Sequence, residues 1–547
     1  MKFEFSGNNL SGKNRKLQRL FEIMPGATSW IIIVGMLILS FQKPICAAVI
    51  IIAFDFYWLL RLLYLTLFLI FSYVRLSAEK ETNWMERVQK LDNLEKYLEE
   101  IKMRTKQVNR NQRLSHRALL NEVEMFYKSG REKAPLKDIY NLVIIPVAKE
   151  TREIVEPGIK SISKSTFPLK QIVIVLAVEE RADAFVKKDI KDLAQKYQDK
   201  FFDIMIFIHP DGIAGEAKAK GANASFAAKK AAKYFTKKKI SFKNVIVSCF
   251  DSDTVVNPDY FSSLTYYFQV CPRRERASFQ PVPVYNNNIW EAPGITRVLE
   301  TGSSFFQLIE ATNPEKLVTF SSHSMSFKAL VDTGYWPVDM ISDDSAIFWK
   351  AFIHFDGEYK VIPMYTTLSM DAVVAETWWK TVKNVYKQKR RWAWGVENFP
   401  IVMRAFLQNK HISVFFKIKQ AFKLFEGHVA WATWAFLLTF IGWLPAIFAG
   451  REFSHSVLYY SAPRIMGIIF NLASFSLITS IVLSLLLLPR PTEKNPIGKR
   501  IIYAFQWLLV PFTMVFLSAL PALDAQTRLL LGKYMTFWVT DKKRTGK

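Results

Sequence analysis

The chain has 547 residues, of which 50% are hydrophobic, 14% aromatic and 22% charged, with a formal net charge of +25. That mixture excludes a chain that is membrane throughout and is too apolar for an ordinary soluble protein, so soluble and membrane-embedded parts are expected together. The cation excess fits the positive-inside bias of a membrane protein, or attraction to anionic lipid or a phosphorylated substrate. No nucleic-acid-binding signature is present, and no nucleic-acid partner is expected. The three cysteines, Cys46, Cys249 and Cys271, form no C-x-x-C or Cys/His ligand spacing, which argues against structural zinc and fits a reducing compartment.

In chain order, residues 1–26 are polar and basic and read as a cytoplasmic tail. Two apolar runs follow, Thr28–Phe41 and Ile45–Val74, separated by Gln42-Lys43-Pro44. A signal peptide is the competing reading of the first run, but the second run argues for a retained transmembrane hairpin over 27–74. Basic residues before and after the hairpin (Lys13, Arg15, Arg75, Lys80) place both ends in the cytoplasm. Asp55 and Arg61 lie inside the second run, six apart, and do not face each other. Residues 75–138 form an amphipathic helical linker, with Trp84, Val88, Leu91, Leu94, Leu98 and Ile101 at helical spacing as a packing face.

From residue 139 strands alternate with helices: Asn141–Val147, Gln171–Val178, Phe202–Ile208 and Val245–Ser248 are short β-branched runs separated by helical segments. This predicts an α/β domain over 139–398 with a parallel, Rossmann-like sheet. No G-x-G-x-x-G follows the first strand, so a dinucleotide fingerprint is absent. The domain turns on Asn244–Phe261, where an apolar strand stops at Asp251-Ser252-Asp253. Carboxylates at a central strand's carboxyl end lie where open α/β sheets bind ligands, and such a pair can hold Mg²⁺ or Mn²⁺ against a substrate's phosphates. Glu150 follows the first strand, Glu179 and Glu180 the second, and Asp343-Asp344 open a later helix. The aromatic, basic helix Glu376–Trp394 precedes the membrane.

Residues 399–426 interleave Phe with Lys and read as interfacial helices. Over 427–523 lie the apolar stretches Trp431–Ala449, Ile465–Leu488 and Ile501–Leu523. The basic segment 524–547 reads as a cytoplasmic tail, which three full crossings from a cytoplasmic domain would contradict. Ile501–Leu523, with Pro511 and Pro521, is therefore expected to be a re-entrant or tilted element buried against its neighbours.

Taken together, Pro146–Glu150 (PVAKE), Lys218–Asn223 (KAKGAN), Asp251–Asp253 (DSD), Ser342–Asp344 (SDD, for the usual T-E-D) and Gln388–Trp392 (QKRRW) resemble the membrane-bound family 2 glycosyltransferases, a group that includes bacterial cellulose and hyaluronan synthases. Phe537-Trp538-Val539-Thr540-Asp541-Lys542 also resembles the F-x-V-T-x-K gating loop of cellulose synthases. The resemblance implies a GT-A fold and inverting transfer of a sugar from a nucleoside-diphosphate sugar. It places the divalent ion, Mg²⁺ or Mn²⁺, on Asp253, and the nucleoside near Asp251, Pro146 and Glu150, with Glu179 and Glu180 as further contacts. Lys218 or Lys220, with Gln388 and Arg391, would hold the diphosphate, and Trp392 would stack on the acceptor. Asp344 would be the general base, and Phe537, Val539, Thr540 and Lys542 would close over the nucleotide. A growing polysaccharide or a lipid-linked sugar is the implied acceptor, in a polytopic cell-membrane protein that contacts membrane lipids and has a cytoplasmic catalytic domain. A non-catalytic membrane scaffold or transport component with the same fold is the alternative. Ser342 and Asp343 depart from the family's Thr and Glu, and His323 reads as a satisfied polar histidine.

Overall fold

The protein is described by a computed structural model over residues 3–8, 10–105, 108–109, 112–448, 457–489 and 496–536. At its centre is one sheet of eight strands: β1 (Tyr140–Val147), β2 (Ile172–Glu179), β3 (Asp203–His209), β4 (Val245–Cys249), β5 (Val255–Val256), β6 (Ala277–Val284), β7 (Ser324–Ser326) and β8 (Lys360–Ser369). Their order is β3-β2-β1-β4-β7-β6-β8-β5. The first four pair in parallel, in agreement with the expected Rossmann-like half. The second half is mixed, because β7 runs antiparallel to both β4 and β6 while β6 and β8 are parallel. The irregular region after β5 thus completes the same sheet, and the α/β arrangement is that of a GT-A domain.

The strands are apolar on both faces because both are covered. Val143, Ile145 and Val147 of β1 point to one core with Ile174, Leu176, Val155, Ile159 and Leu193. Leu142 and Ile144 point to the other, with Val173, Val175, Val245 and Val247. There the helix Lys220–Lys237 lies on the sheet through Ala224, Ala227, Ala228 and Ala231, all fully buried. Alanine at these positions lets helix and sheet approach closely with little loss of side-chain entropy.

The linker stripe is a packing face, as the spacing predicts: Trp84, Val88, Leu91, Leu98 and Ile101 are buried in the first of these cores. The helix is interrupted at Leu91–Asn93, where Asn93 caps a new start by accepting from Lys96 N–H.

Three described helices are long and apolar enough to cross a membrane: Gly12–Gln42, Pro44–Glu79 and Ile497–Leu530. The first begins well inside the segment read as a polar tail. Gln18, Phe21 and Glu22 are buried there, and Phe21 packs edge-on against Phe399 at 6.2 Å. Arg61 finds its partner on another helix, at 2.6 Å from Glu426, and not in Asp55. The segment read as re-entrant or tilted is one long helix with local changes of winding. A 3-10 turn at Trp507–Leu509 precedes Pro511, and a π segment at Val515–Ala519 precedes Pro521. Each proline thereby falls in a first turn, where its missing N–H removes no helical bond. The sharp bend, 46°, lies instead between Val414–Thr439 and Ile441–Phe448. The tail residues Phe537, Val539, Thr540 and Lys542 lie outside the described residues.

Candidate active site

Four chain segments meet at the carboxyl ends of β1 and β4. Lys220 opens the helix Lys220–Lys237, and its ammonium lies 2.7 Å from Asp251 Oδ1 and 3.0 Å from Asp344 Oδ1. Asp251 follows β4, and Asp344 is in the first turn of the helix Asp343–His354. Gly221 makes this approach possible. A Cβ there would stand 2.7 Å from both Asp343 Cβ and the Pro337 carbonyl oxygen. The KAKGAN motif thus supplies a cation and, beside it, the space for the SDD segment.

The fourth segment is Phe320–His323. Ser321 Oγ donates to Asp251 Oδ2, and Ser322 Oγ accepts from Asp251 N–H at 3.1 Å. Ser322 adopts φ +59°, a left-handed conformation that a non-glycine residue holds only when its surroundings enforce it. His323 is fully buried. Trp336 Nε1–H donates to its Nε2 at 3.4 Å, which assigns the proton to Nδ1. Nδ1 lies 3.1 Å from the Phe320 carbonyl and 3.6 Å from Asp344 Oδ1. His323 is a satisfied histidine, as its polar segment suggests, and it also adds positive potential beside Asp344.

The charges tune one another. Burial lowers the Lys220 ammonium, but Asp251 and Asp344 outweigh it and hold the group well above its usual value. Burial pushes the Asp344 carboxyl up, yet Lys220 and the neighbouring His323 hold it below the ordinary carboxylate range. Asp343 goes the other way, raised well above that range by burial and then by the charge of Asp344. Adjacent carboxylates are thus shifted in opposite directions, Asp344 toward its ionised form and Asp343 toward its neutral one.

Asp253 is fully buried, and its Oδ2 accepts from Asp371 N–H at 2.9 Å. Asn287 Nδ2 braces the same loop, donating to the Asp253 carbonyl at 3.0 Å and to Asp371 Oδ1 at 2.8 Å. Among the described residues no group of three or more His, Cys, Asp or Glu side chains is placed to hold an ion alone. The carboxylate oxygens of Asp251 and Asp253 are of the hard donor type that Mg²⁺ or Mn²⁺ takes together with substrate phosphates and water.

On the helix Trp378–Ala393, Gln388 is buried, and Arg391 and Trp392 are half-buried. The Trp392 ring lies 5.8 Å from Tyr285 and 5.5 Å from Phe320, with Lys389 Nζ 3.7 Å over its face. Lys389 is held in turn by Glu300 at 2.9 Å, a fully enclosed pair that fixes this helix against Gly294–Ala311.

The remaining sequence-selected residues lie in or just after β1 and β2, or in the loop before the helix Lys220–Lys237. Glu150 accepts from the Ala148 and Lys149 amides, closing the turn after β1, and Pro146 lies in β1 beside Ala177. Glu179, Glu180, Arg181, His209, Asp211 and Lys218 line a separate open cleft at the ends of β2 and β3. Lys218 pairs there with Asp211 at 2.9 Å and does not reach Asp251 or Asp344. Sequence reasoning missed Ser321, Ser322, Asn287 and Tyr285. Only the run of three asparagines at 286–288, after a strand, gave any signal of a specialised turn.

The family model for glycosyl transferase family group 2 matches residues 246–520, half of the chain. The chain belongs to this family. This glycosyltransferase is 24% identical over 384 residues to the poly-beta-1,6-N-acetyl-D-glucosamine synthase of Staphylococcus epidermidis, covering 68% of the chain and 81% of that protein. Solved structures with partial likeness are the mannosyltransferase PcManGT from Pyrobaculum calidifontis, in complex with GDP-Man and Mn²⁺ (13% identity, TM-score 0.38, 66% of this chain and 92% of that one), and S. aureus TarS 1-349 (12% identity, TM-score 0.34, 74% and 95%). The family assignment rests on the sequence match and not on these superpositions. With three described helices of spanning length, the glycosyltransferase is a membrane protein.

Proposed function

We propose that the protein is an inverting glycosyltransferase that extends a polysaccharide from a nucleoside-diphosphate sugar on the cytoplasmic side of a polytopic membrane protein. The observation that carries the reading is the convergence of Asp251 and Asp344, 93 positions apart, on the single ammonium of Lys220. A buried cation between two carboxylates is where a diphosphate can exchange for one of them. Before donor binds, the single charge of Lys220 is shared between both acids. As donor binds, its diphosphate competes for Lys220, so Asp344 loses its counter-charge and its proton affinity rises toward that of a useful base.

Asp344 then takes the proton of the acceptor hydroxyl as that oxygen bonds to the anomeric carbon from the face opposite the diphosphate. The bond from that carbon to the diphosphate oxygen breaks, and the charge leaving on the diphosphate meets Lys220 and Arg391. Asp253 would hold a Mg²⁺ or Mn²⁺ ion, which when bound neutralises diphosphate charge. Asp251, Pro146 and Glu150 would face the nucleoside, with the Glu179–Glu180 cleft beside it. Trp392, framed by Tyr285 and Phe320, would offer its face to the acceptor sugar. The relation to a poly-beta-1,6-N-acetyl-D-glucosamine synthase makes UDP-N-acetylglucosamine the first donor to test.

The test is turnover of full-length protein in detergent against a panel of UDP- and GDP-sugars, following released nucleoside diphosphate and product length. Asp344→Asn is expected to lower turnover by about 10²–10⁴-fold while nucleotide binding persists. Undiminished transfer by that variant removes Asp344 as the base. Binding of nucleotide with no transfer from any donor favours a scaffold.

A further inference from the structure

Beyond the residues assigned above, one carboxylate is built into the site without touching where substrate would lie. Glu397 sits in the short turn Trp394–Glu397 that extends the helix carrying Gln388, Arg391 and Trp392. Its Oε1 accepts from Ile341 N–H at 3.2 Å, Ser342 N–H at 3.0 Å and Ser342 Oγ at 2.7 Å. Its Oε2 accepts from Trp394 Nε1–H at 2.8 Å. Asn398, the next residue, donates from Nδ2 to Ser342 Oγ and to Ser345 Oγ, both at 3.1 Å. Two residues of one segment thus grip the backbone and hydroxyls on either side of Asp343-Asp344.

We propose that Glu397, with Asn398, is a positioning residue for Asp344, a clasp that fixes the base-bearing turn to the Arg391–Trp392 helix. Three features support an orienting role. A carboxylate with four donors is a stiff anchor, because each bond constrains the others. Ser342 is the helix N-cap residue, yet its own side chain caps no helix amide. Its hydroxyl lies between Glu397 and Asn398 instead, which explains why this position keeps a hydroxyl where the sequence departs from the family's Thr. Finally, Ile341, Trp394 and Val396, which flank the clasp, share one apolar cluster with Ala432, Ala522, Leu523, Ala525 and Leu529. The clasp therefore also ties the base-bearing turn to two helices of the membrane part.

The inference rests on Asp344 being the base, so the experiment carries Asp344→Asn in parallel. Full-length protein is assayed with UDP-N-acetylglucosamine, or with the nucleotide sugar that the panel selects. Turnover, UDP affinity and thermal unfolding are measured together. Glu397→Ala is expected to lower kcat about 100-fold, the scale of an ångström's misplacement, with UDP affinity close to the parent and Tm lowered because four donors lose their acceptor. Ser342→Ala is expected to lose about tenfold, and Ser342→Thr to regain it, because only the hydroxyl matters to the clasp. Glu397→Ala combined with Ser342→Ala is expected to be no worse than Glu397→Ala alone, since both break one device. Unchanged kcat in Glu397→Ala overturns the clasp, as does a loss of UDP binding parallel to the loss of kcat, which marks a general structural role. If Glu397→Ala cannot be obtained folded, equal kcat for Ser342→Ala and Ser342→Thr overturns it. Full activity in Asp344→Asn removes the base itself, whatever Glu397 does, and so separates the two failures.

Discussion

Two clusters of acids and lysines lie at the carboxyl ends of parallel strands in this protein, and their chemistry is not the same. Around Lys220, whose side chain is 13% exposed, one ammonium serves two carboxylates and shifts the proton affinities of its neighbours. Around Lys218, 58% exposed and two residues earlier, an ammonium meets Asp211 in solvent. The residue types match; the difference is enclosure. Water and salt screen the outer pair, whereas the inner charges must be satisfied by one another. Lysines two apart in one motif thus face different surroundings because the chain enters the helix Lys220–Lys237 between them.

The largest way to break this contrast is Lys220→Met, which keeps the stem and removes the charge. It leaves Asp251 and Asp344 facing each other in an enclosed site. A stability loss approaching the about 3–5 kcal/mol seen when one partner leaves a buried pair is expected, with transfer abolished. The sign of the pH dependence is a sharper check. In the parent, Asp344 is held below its unfolded value, so its contribution is present above that value and lost as pH falls through the folded one. In Lys220→Met the carboxyl rises, and acid relieves the repulsion. The gap in Tm between parent and variant should therefore narrow from about pH 7.5 to about pH 5.

A smaller effect is expected one residue from the base. Burial and the charge of Asp344 raise the Asp343 carboxyl well above its usual range, so Asp343→Asn replaces a group biased toward its neutral form by a neutral amide of nearly the same shape. A carboxyl raised in the folded state detracts from stability once pH exceeds its unfolded value, and asparagine has no such term. Thermal unfolding near neutral pH should show Tm equal to or above the parent, and turnover within about threefold, against the collapse expected for Asp344→Asn. A large loss at both positions would show that the two acids share one role.

The parallel half of the sheet was legible because its strands are unbroken β-branched runs with turn signals at each end, and that pattern has few other solutions. The mixed half was not. β7 is three residues long and pairs with strands distant in sequence, and such pairing leaves no local periodicity. The membrane part divided in the same way. Apolar length marked the spans, but the bend fell after Thr439 and not at Pro511 or Pro521, because a 3-10 turn and a π segment accommodate those prolines. In the site, motif spacing singled out Asp251, Asp344 and Lys220. It could not show that one ammonium joins them, nor choose Lys220 over Lys218 for that place. Ser321, Ser322 and Glu397 stayed hidden because their importance comes from bonds across the fold, and a serine or glutamate between elements looks like any solvated residue.

Lys218→Ala is the smallest expected effect and the one that sharpens the contrast most. Its ammonium is hydrated, its partner Asp211 is itself exposed, and the hydrogen bond between them lowers the Asp211 carboxyl without enclosing it. Exposed pairs of this kind contribute little, so Tm should move by no more than about 1 °C. For the donor, two outcomes separate two sites. If the diphosphate is held at Lys220, KM for the nucleotide sugar should change less than about twofold in Lys218→Ala, and raised salt should mimic what change there is. If KM rises about tenfold with kcat preserved, Lys218 contacts the bound donor, and the loop that carries Asp211, Gly212 and Gly215 must swing inward when nucleotide arrives. The glycines make that movement conformationally accessible, since both adopt φ near +80°. A tenfold rise would thus make the outer cluster part of the active site only in the presence of substrate, and enclosure a property that the donor itself confers.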